Sequence, residues 1–288
     1  MRPRAASCPV SSPDIPMAQT VRQQQIVELL RDRRSATITD LAEHFEVSDE
    51  TIRRDLKALA EDGMVDKFHG GVRLNVAEWE APFDRRLREQ APAKRRIAHA
   101  AAELVDADAT ILLDNSSTSC FLAQVLAPRP GRLTAITFSV EVAQILSSAG
   151  RHHRVILPGG ELRADDRTII GPSAIDFASQ FTPSLFVMSV AAASPQRGCM
   201  DFDLFETEFK RAMMPLAEKV MLLLDSSKYS KPGLIQVCDW QAVDILVTDA
   251  PPPAAVRDEL EHAQVVLAPP LPAGNGGNGN GRKPAYAE

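Results

Sequence analysis

The sequence contains little cysteine, and no two cysteines have the spacing of a zinc or redox motif. The four cysteines, Cys8, Cys120, Cys199 and Cys238, are far apart in the 288-residue chain. Disulfide frameworks and structural zinc sites are built from clustered cysteines. We therefore expect reduced thiols, a cytoplasmic location, and no bound metal or cofactor.

Long hydrophobic runs and a basic net charge are also missing. No apolar run approaches the ~18 residues that a membrane span needs, so we expect no membrane partner. The formal net charge is −6, whereas a general polyanion-binding protein is basic. Any contact with nucleic acid must therefore come from a local patch of cations.

Both ends of the chain have compositions that do not build a hydrophobic core. Residues 1–18 are rich in Pro and Ser without the apolar stretch of a signal peptide, and we predict a disordered extension in which Met17 is an alternative start. Residues 269–288 are rich in Gly and Asn and are predicted to be a disordered tail. Their GNGGNG segment fits the dinucleotide fingerprint but lacks the strand and helix that the fingerprint requires, so we discard it.

Residues 19–74 have the pattern of a winged helix-turn-helix domain. We predict three short helices, the first at about 20–32, the second capped by Thr39, and the third at 49–61. A short hairpin follows, with its turn at the glycine pair Gly70-Gly71. Three helices and a small hairpin are the elements of this DNA-binding fold.

The third helix has the composition of a recognition helix. Ile52, Leu56 and Leu59 fall on one face of a helical wheel, and Ser48 can cap the N-terminus. The outer face carries cations, as in a helix that enters the major groove. The residues predicted to face bases and phosphates are Ser48, Thr51, Arg53, Arg54 and Lys57. The alternative is a solvated helix with i,i+4 ion pairs such as Glu50–Arg54.

The rest of the chain alternates short apolar runs with helical segments, which predicts a mainly parallel α/β sheet. We assign 75–91 to a linker and 92–268 to an α/β domain for effector sensing and oligomerisation. Ligands of such sheets bind at the carboxyl ends of the strands. The strand-end residues Asp114, Ser139, Gly159 and Asp225 are therefore site candidates.

A polar loop with the sequence NSSTS, residues 115–119, lies between a predicted strand and a predicted helix. Its hydroxyls and the backbone N–H groups at the helix N-terminus make a ready anion site. The alternative is a Ser-rich helix cap that binds nothing.

The string TITDLAEHFEVSDETIRRDLKALAEDGMVDKFHGGV, residues 37–72, closely resembles the N-terminal domain of the DeoR family of bacterial transcriptional regulators. The matching motifs are VSDETIRRDL, EDGMV and HGG. The resemblance implies DNA binding, with Lys67 and His69 placing the wing on the DNA. The family usually has Arg at the position of Lys67.

From about residue 75 to 250 the chain resembles the C-terminal sensor domain of the same family, which is similar in fold to ribose-phosphate isomerases and coenzyme A transferases. The resemblance implies a phosphorylated sugar effector, with its phosphate on the DNSST loop and Lys228 as a second anion contact. The predicted effector-binding residues are Asp114, Asn115, Ser116, Ser117, Thr118, Ser139, Gly159, Gly160, Asp201, Lys210 and Lys228. Two features depart from the family: AAAS at 191–194 replaces a glycine pair, and Ser116 replaces a common glycine.

Together these features predict a repressor of carbohydrate metabolism genes that a phosphorylated sugar releases from double-stranded operator DNA. Residues 20–74 carry nine cations and eleven carboxylates, so tight binding requires a homo-oligomer, a dimer or a tetramer. The first alternative is a regulator whose α/β domain only oligomerises or senses another metabolite. The second is an isomerase-like enzyme, which residues 187–198 disfavour because they contain no carboxylate base.

Overall fold

The computed structural model describes residues 21–27, 29–30, 35–61, 64–68, 71–74, 81–148, 152–231 and 233–271. The chain divides into two compact units, with the division at residues 79–80. Each unit has its own fold. No helix among the described residues has both the length and the apolar character of a membrane span.

The N-terminal unit is a winged helix-turn-helix, as predicted. Its elements in chain order are α1 (helical residues 21–27 and 29–30), β1 (Ser35–Thr37), α2 (Ile38–His44), α3 (Asp49–Glu61), β2 (Val65–Phe68) and β3 (Gly71–Leu74). The strands form an antiparallel sheet in the order β1-β3-β2. The sequence analysis did not predict β1, which has only three residues.

The two caps of the helix-turn-helix differ in how well the sequence predicted them. The Ser48 hydroxyl accepts a hydrogen bond from the Thr51 N–H at 3.2 Å, so the predicted cap of α3 is confirmed. The prediction of Thr39 as the cap of α2 is wrong. Thr37 is the cap, because its hydroxyl accepts from the Asp40 N–H while the Asp40 carboxylate accepts from the Thr37 N–H.

One residue of the predicted turn of the wing belongs to a strand instead. Gly71 belongs to β3 and pairs with Phe68, which leaves residues 69–70 to connect the strands. A Cβ at Gly71 would lie 2.5 Å from Cζ of Phe68 and 2.8 Å from the carbonyl oxygen of Ala36. Gly71 is therefore needed for the close approach of β1 and β3. Gly70 and His69 lie outside the described residues.

The C-terminal unit is a three-layer α/β domain. Its elements in chain order are α4 (Phe83–Arg86), α5 (Ala91–Ala102), β4 (Thr110–Leu113), α6 (Ser117–Leu126), β5 (Thr134–Thr137), α7 (Val140–Ser148), β6 (Arg154–Ile156), β7 (Glu161–Arg163), β8 (Thr168–Ile170), α8 (Pro172–Ala178), β9 (Leu185–Met188), β10 (Ala192–Ser194), β11 (Gly198–Asp201), α9 (Leu204–Met213), β12 (Val220–Leu224), β13 (Ile235–Cys238), β14 (Ile245–Thr248), α10 (Ala254–Glu259) and β15 (Gln264–Leu267). Seven strands form the central sheet in the order β15-β14-β12-β9-β4-β5-β6. Every neighbouring pair in it is parallel, which confirms the predicted sheet.

The two faces of the sheet carry separate hydrophobic cores, because alternate residues of a strand point to opposite faces. Leu113 and Val187 pack with α5, α6 and α7 on one face. Leu112 and Phe186 pack with α8, α9 and α10 on the other face. Because both faces of the strands are buried, their sequences are continuous apolar runs, and such runs can be predicted from the sequence.

Several smaller elements of this unit were not predicted. Helix α4 lies inside the stretch 75–91 that the sequence analysis assigned to a linker, and its Phe83 packs into the core of the α/β unit. Strands β7 and β8 form an antiparallel hairpin, and β10, β11 and β13 form a small antiparallel sheet. These strands have three or four residues each, and they lack the continuous apolar runs of the central sheet.

Two cysteines that are distant in the sequence meet in the small sheet. Cys199 and Cys238 are directly opposite each other on β11 and β13, and both are buried free thiols. The hydrogen bond with Cys238 and the burial of the side chain raise the pKa of the Cys199 thiol. Both effects disfavour the reactive thiolate. Among the described residues no group of three or more His, Cys, Asp or Glu side chains is arranged to hold a metal ion.

Candidate nucleic-acid interface and candidate effector site

Helix α3 turns its cations to solvent. Ile52, Leu56 and Leu59 are buried against the rest of the N-terminal unit, as the helical wheel predicts. Arg53, Arg54 and Lys57, on the remaining surface, are exposed. Lys57 Nζ lies 3.8 Å from the Glu61 carboxylate, with both side chains about two-thirds exposed or more, a geometry that holds a lysine only weakly.

The N-terminus of α3 presents two hydroxyls. Ser48 is exposed and Thr51 is half-buried, and their hydroxyl oxygens are 2.9 Å apart. Cap residues in this position lie where a recognition helix meets the DNA backbone and the base edges.

One acidic residue of α3 does not face outward. Asp55 is 1% exposed, and its carboxylate accepts a hydrogen bond from Arg22 Nε of α1 at 2.6 Å. This ion pair neutralises a carboxylate that would otherwise add negative charge to the helix, and it joins α1 to α3. The sequence analysis missed the pair because its partners are 33 positions apart.

The wing adds an exposed lysine. Lys67 is exposed on β2, opposite Val72 of β3. The next residue, Phe68, is also exposed. His69, the other predicted wing contact, lies outside the described residues.

In the α/β unit, the carboxylate of Asp114 holds the polar loop in position. Asp114 is fully buried at the end of β4, and its Oδ1 accepts hydrogen bonds from the Ser116 N–H at 3.0 Å and from the Ser119 hydroxyl. Its Oδ2 accepts from the Ser189 N–H at 2.7 Å, at the end of the adjacent strand β9. Asp114 thus positions the loop, with both its oxygens engaged by the protein.

The loop forms the N-terminus of α6, where two lysines approach it. Ser116 caps the helix by accepting from the Ser119 N–H at 3.0 Å. Lys94 Nζ donates to the Ser117 hydroxyl at 3.0 Å and to the Arg86 carbonyl. Burial and, after it, the charge of Lys228 lower the pKa of Lys94 to about 8. Thr118, in the first turn, is buried.

Lys228 reaches the loop region from the turn Ser226–Ser230 after β12. Its Nζ donates to the Ser189 hydroxyl at 2.9 Å and to the Val190 carbonyl at 2.6 Å. The charge of Lys228 is the second cause, after burial, of the lowered pKa of Lys94, whereas Asp225, whose carboxylate lies 4.0 Å from Lys228 Nζ, raises it. A bound anion would favour the charged form of both lysines.

The sequence analysis missed Lys94, although a signal was present. On a helical wheel Lys94 shares its face with Ile97, Ala98 and Ala101, which are all buried. A lysine on the apolar face of a helix is costly unless it has a partner, and this position could therefore have been singled out.

A second polar group joins the β7–β8 hairpin to α9. Arg163 of β7 binds the Asp166 carboxylate, and it also pairs with Asp203 at 3.0 Å and with Glu206 at 2.8 Å. Asn115 Nδ2 of the loop donates to Asp166 at 3.1 Å and to Glu206 at 3.0 Å. Only Asn115 of these residues was predicted, because the carboxylates and the arginine come together only in the folded chain.

Lys210, in the last turn of α9, also belongs to this group. It donates to Asp201 at 2.6 Å and lies 3.9 Å from both Asp114 and Glu206. Burial by itself lowers the pKa of Lys210, but these carboxylates outweigh burial and raise the pKa above its usual value. Asp201 also accepts a hydrogen bond from the Ala191 N–H at 2.8 Å. Lys210 and Asp201 therefore hold the β10–β11 region beside the loop.

The remaining predicted residues occupy less connected positions. Ser139 is buried and accepts from the Val142 N–H at 3.2 Å, so it caps α7. Gly159 and Gly160 are exposed between β6 and β7. Hydrogen bonds and ion pairs join Asp114, Asn115, Ser117, Asp201, Lys210 and Lys228 to the loop and its surroundings, and we find no such link to Ser139, Gly159 or Gly160 among the described residues.

The winged helix-turn-helix, with its exposed basic helix, defines a DNA-binding regulator, and the second unit is an α/β domain with a polar site at the strand ends. The DeoR-like helix-turn-helix domain matches residues 22–78, and the DeoR C-terminal sensor domain matches residues 89–250. The chain belongs to the DeoR family of transcriptional regulators. It is a regulator by family, not an enzyme.

Proteins similar to this chain include a repressor and an activator. The glycerol-3-phosphate regulon repressor of Escherichia coli is 34% identical over 253 residues, covering 87% of this chain and 100% of the relative. The L-fucose operon activator of Haemophilus influenzae is 29% identical over 246 residues, covering 85% and 98%.

One of the solved structures with distant similarity to this chain is an enzyme. Ribose 5-phosphate isomerase A from Neisseria gonorrhoeae has a TM-score of 0.34 and 15% identity over 48% of this chain and 53% of that chain.

Proposed function

We propose that this regulator is a repressor that binds operator DNA as a homo-oligomer and is released by a phosphorylated sugar or polyol. Two observations support the two halves of the proposal. The basic outer face of α3 and Lys67 of the wing are exposed. Lys94 contacts Ser117 at the N-terminus of α6, and Lys228 contacts Ser189, whose N–H donates to Asp114 before the loop. The relative that controls a glycerol-3-phosphate regulon is named for a phosphorylated polyol.

On the DNA side, Arg53, Arg54 and Lys57 contact bases and phosphates, and Ser48 and Thr51 contact the backbone at the start of the helix. The other predicted contacts are Lys67 and His69 in the wing. Each protomer contributes one recognition helix from a unit without net positive charge, so its affinity for DNA is modest. Two or more copies therefore bind the operator together.

On the effector side, the phosphate lies at the N-terminus of α6, against the N–H groups of the first turn and between Lys94 and Lys228. A dianion is favoured there because the helix dipole and two ammonium groups carry the complementary charge. Asn115 and the carboxylates around Arg163 lie beside the loop, where they are placed to recognise hydroxyl groups.

A gel-shift titration tests both halves. The DNA is the region upstream of the native gene and its neighbours, titrated with and without a panel of sugar phosphates and glycerol 3-phosphate. Release by one phosphorylated compound, and not by its unphosphorylated form, is the expected result. Binding that no member of the panel affects contradicts the effector half, and absence of binding at low salt contradicts the DNA half.

Arg54→Ala tests the assignment of α3. We expect the variant to bind the specific site about 1–3 kcal/mol more weakly if Arg54 reads a base. Arg132→Ala, at an exposed arginine of the α/β unit, is the control and is expected to bind like the parent protein. Equal binding by both variants would remove Arg54 from the interface.

A second candidate function rests on the alanines at 191–193. They are buried where the family usually has a glycine pair. In this alternative the α/β domain only oligomerises or senses another metabolite, and the gel-shift panel distinguishes it from the first.

A further inference from the structure

A cavity of about 240 Å³ opens between β8, α8 and α9. Its walls are largely apolar and include Phe138, Ile169, Ile170, Ile175, Phe205 and Phe209. The cavity touches the polar loop only at Asn115, and neither Lys94 nor Lys228 lines it. Its chemistry therefore differs from that of the anion site at α6.

Asn115 presents a hydrogen-bond acceptor to this cavity. The side chain is 3% exposed, and its Nδ2 donates to both Asp166 and Glu206. These two carboxylates fix the orientation of the amide, because only the nitrogen can donate. Oδ1 accepts no hydrogen bond from the described residues. Asn115 Oδ1 is not fully shielded from solvent. Since Asn115 lines the cavity, this oxygen is open to it.

The charges around the cavity select against anions. Its ionisable lining residues are Asp176, Glu206 and Glu208, with no lysine or arginine among them. Lys210 and Arg163 lower the pKa of Glu206 despite its burial, which keeps that carboxylate charged. A phosphate or carboxylate in the cavity would find no lysine or arginine in the lining to pair with and would lose its hydration against apolar walls.

We propose that the cavity binds a second small ligand, neutral or cationic, whose apolar body fills the walls and whose hydroxyl or ammonium group donates to Asn115 Oδ1. A dry apolar cavity of about 150 Å³ holds a benzene molecule. The larger volume here admits an aromatic or alicyclic ring with a one-carbon arm that ends in a hydroxyl or an amine. The cavity shares Asn115 and Glu206 with the surroundings of the polar loop but is lined by neither lysine of the phosphate site, so the proposal does not depend on the proposed function.

The test uses benzyl alcohol, benzylamine and benzoate as probes, with binding to the full chain followed by ligand-observed NMR. Such small probes bind weakly, so we expect dissociation constants on the order of 1 mM for the alcohol and the amine. Benzoate should bind at least about tenfold more weakly. Equal binding of benzoate, or no binding of the other two, overturns the proposal.

Matched variants locate the binding. Ile175→Phe fills the cavity, whereas Ile145→Phe makes the same change at a half-buried isoleucine of α7 that does not line it. We expect Ile175→Phe to weaken benzylamine binding at least about tenfold and Ile145→Phe to leave it unchanged. Equal affinity of the two variants would place the probe elsewhere and overturn the proposal.

A second pair of variants changes two exposed side chains, for which we expect little effect on folding. Phe205 is 43% exposed and forms one wall, and Leu162 is 54% exposed outside the lining. Phe205→Ala should weaken benzylamine binding about threefold or more, and Leu162→Ala should not. Binding that falls as the protein concentration rises would mean that a second copy covers the cavity, which also overturns the proposal.

Discussion

At the scale of single residues, two buried charges in different units have different consequences. Asp55 is paired with Arg22 and stabilises the helix-turn-helix, whereas Lys94 donates to neutral oxygens and has its pKa lowered to about 8. A buried charge that is fully paired contributes to structure. One that is held by neutral groups is ready to bind an opposite charge.

Arg22→Ala should destabilise the N-terminal unit, because it leaves the Asp55 carboxylate buried without its cation. We expect a loss of about 1–3 kcal/mol in the free energy of unfolding, measured by urea denaturation. Lys57→Ala, which removes a solvent-exposed pair of the same unit, should change stability by less than about 0.5 kcal/mol. Equal effects of the two substitutions would contradict a structural role for the Arg22–Asp55 pair.

The pKa of Lys94 predicts how effector affinity depends on pH. In the free protein the ammonium is charged below about pH 8 and loses its proton above it. A bound phosphate favours the charged form, so affinity is full below about pH 8 and falls, by up to about tenfold per pH unit, as pH rises through that value.

Isothermal titration with the phosphorylated ligand found by gel shift, between pH 7 and about pH 9.5, measures this dependence. The range lies above the second pKa of a phosphate monoester, about 6. Lys94→Gln should bind more weakly and lose the dependence. A parent protein with constant affinity over this range would exclude Lys94 from the anion site.

At the scale of elements, the wing depends on a close approach of strands. β3 lies between β1 and β2, and Gly71 allows its backbone to pass Phe68 and Ala36. The sequence analysis predicted a hairpin here from its glycine pair, but it had no signal for the third strand, whose three residues pair with β3.

Gly71→Ala should therefore destabilise the wing. The added methyl meets a backbone oxygen at 2.8 Å and the Phe68 ring, and overpacking of this kind costs about 1–3 kcal/mol. Gly159→Ala is the matched control, since nothing lies within 4 Å of its added Cβ. Thermal unfolding and operator affinity should both fall for Gly71→Ala only, and unchanged values would contradict the required close approach.

At the scale of the whole molecule, the proposed function assigns operator binding to one unit and effector sensing to the other. Repression that responds to an effector requires that the effector binds one arrangement of the regulator better than another. Substitutions in the two units should therefore be separable, with operator binding lost from one and release lost from the other.

Ser117→Asp tests this separation. The new carboxylate is placed beside Lys94 and repels a phosphate at the N-terminus of α6. We expect operator binding like that of the parent protein, with no release by the phosphorylated effector in the gel shift. Ser148→Asp, at an exposed serine of α7, should retain release. Full release of Ser117→Asp would move the anion site elsewhere.

The sequence by itself determined the elements whose patterns are local. The apolar stripe and the Ser48 cap of α3 repeat at helical spacing, and the doubly buried strands are continuous apolar runs, so the helix-turn-helix and the parallel sheet followed directly. Only the tertiary structure decided the environment of the site. Asn115 meets Glu206 across 91 positions and Lys94 meets Ser117 across 23. Such pairings depend on which strand ends adjoin in the sheet, and no local pattern records that order.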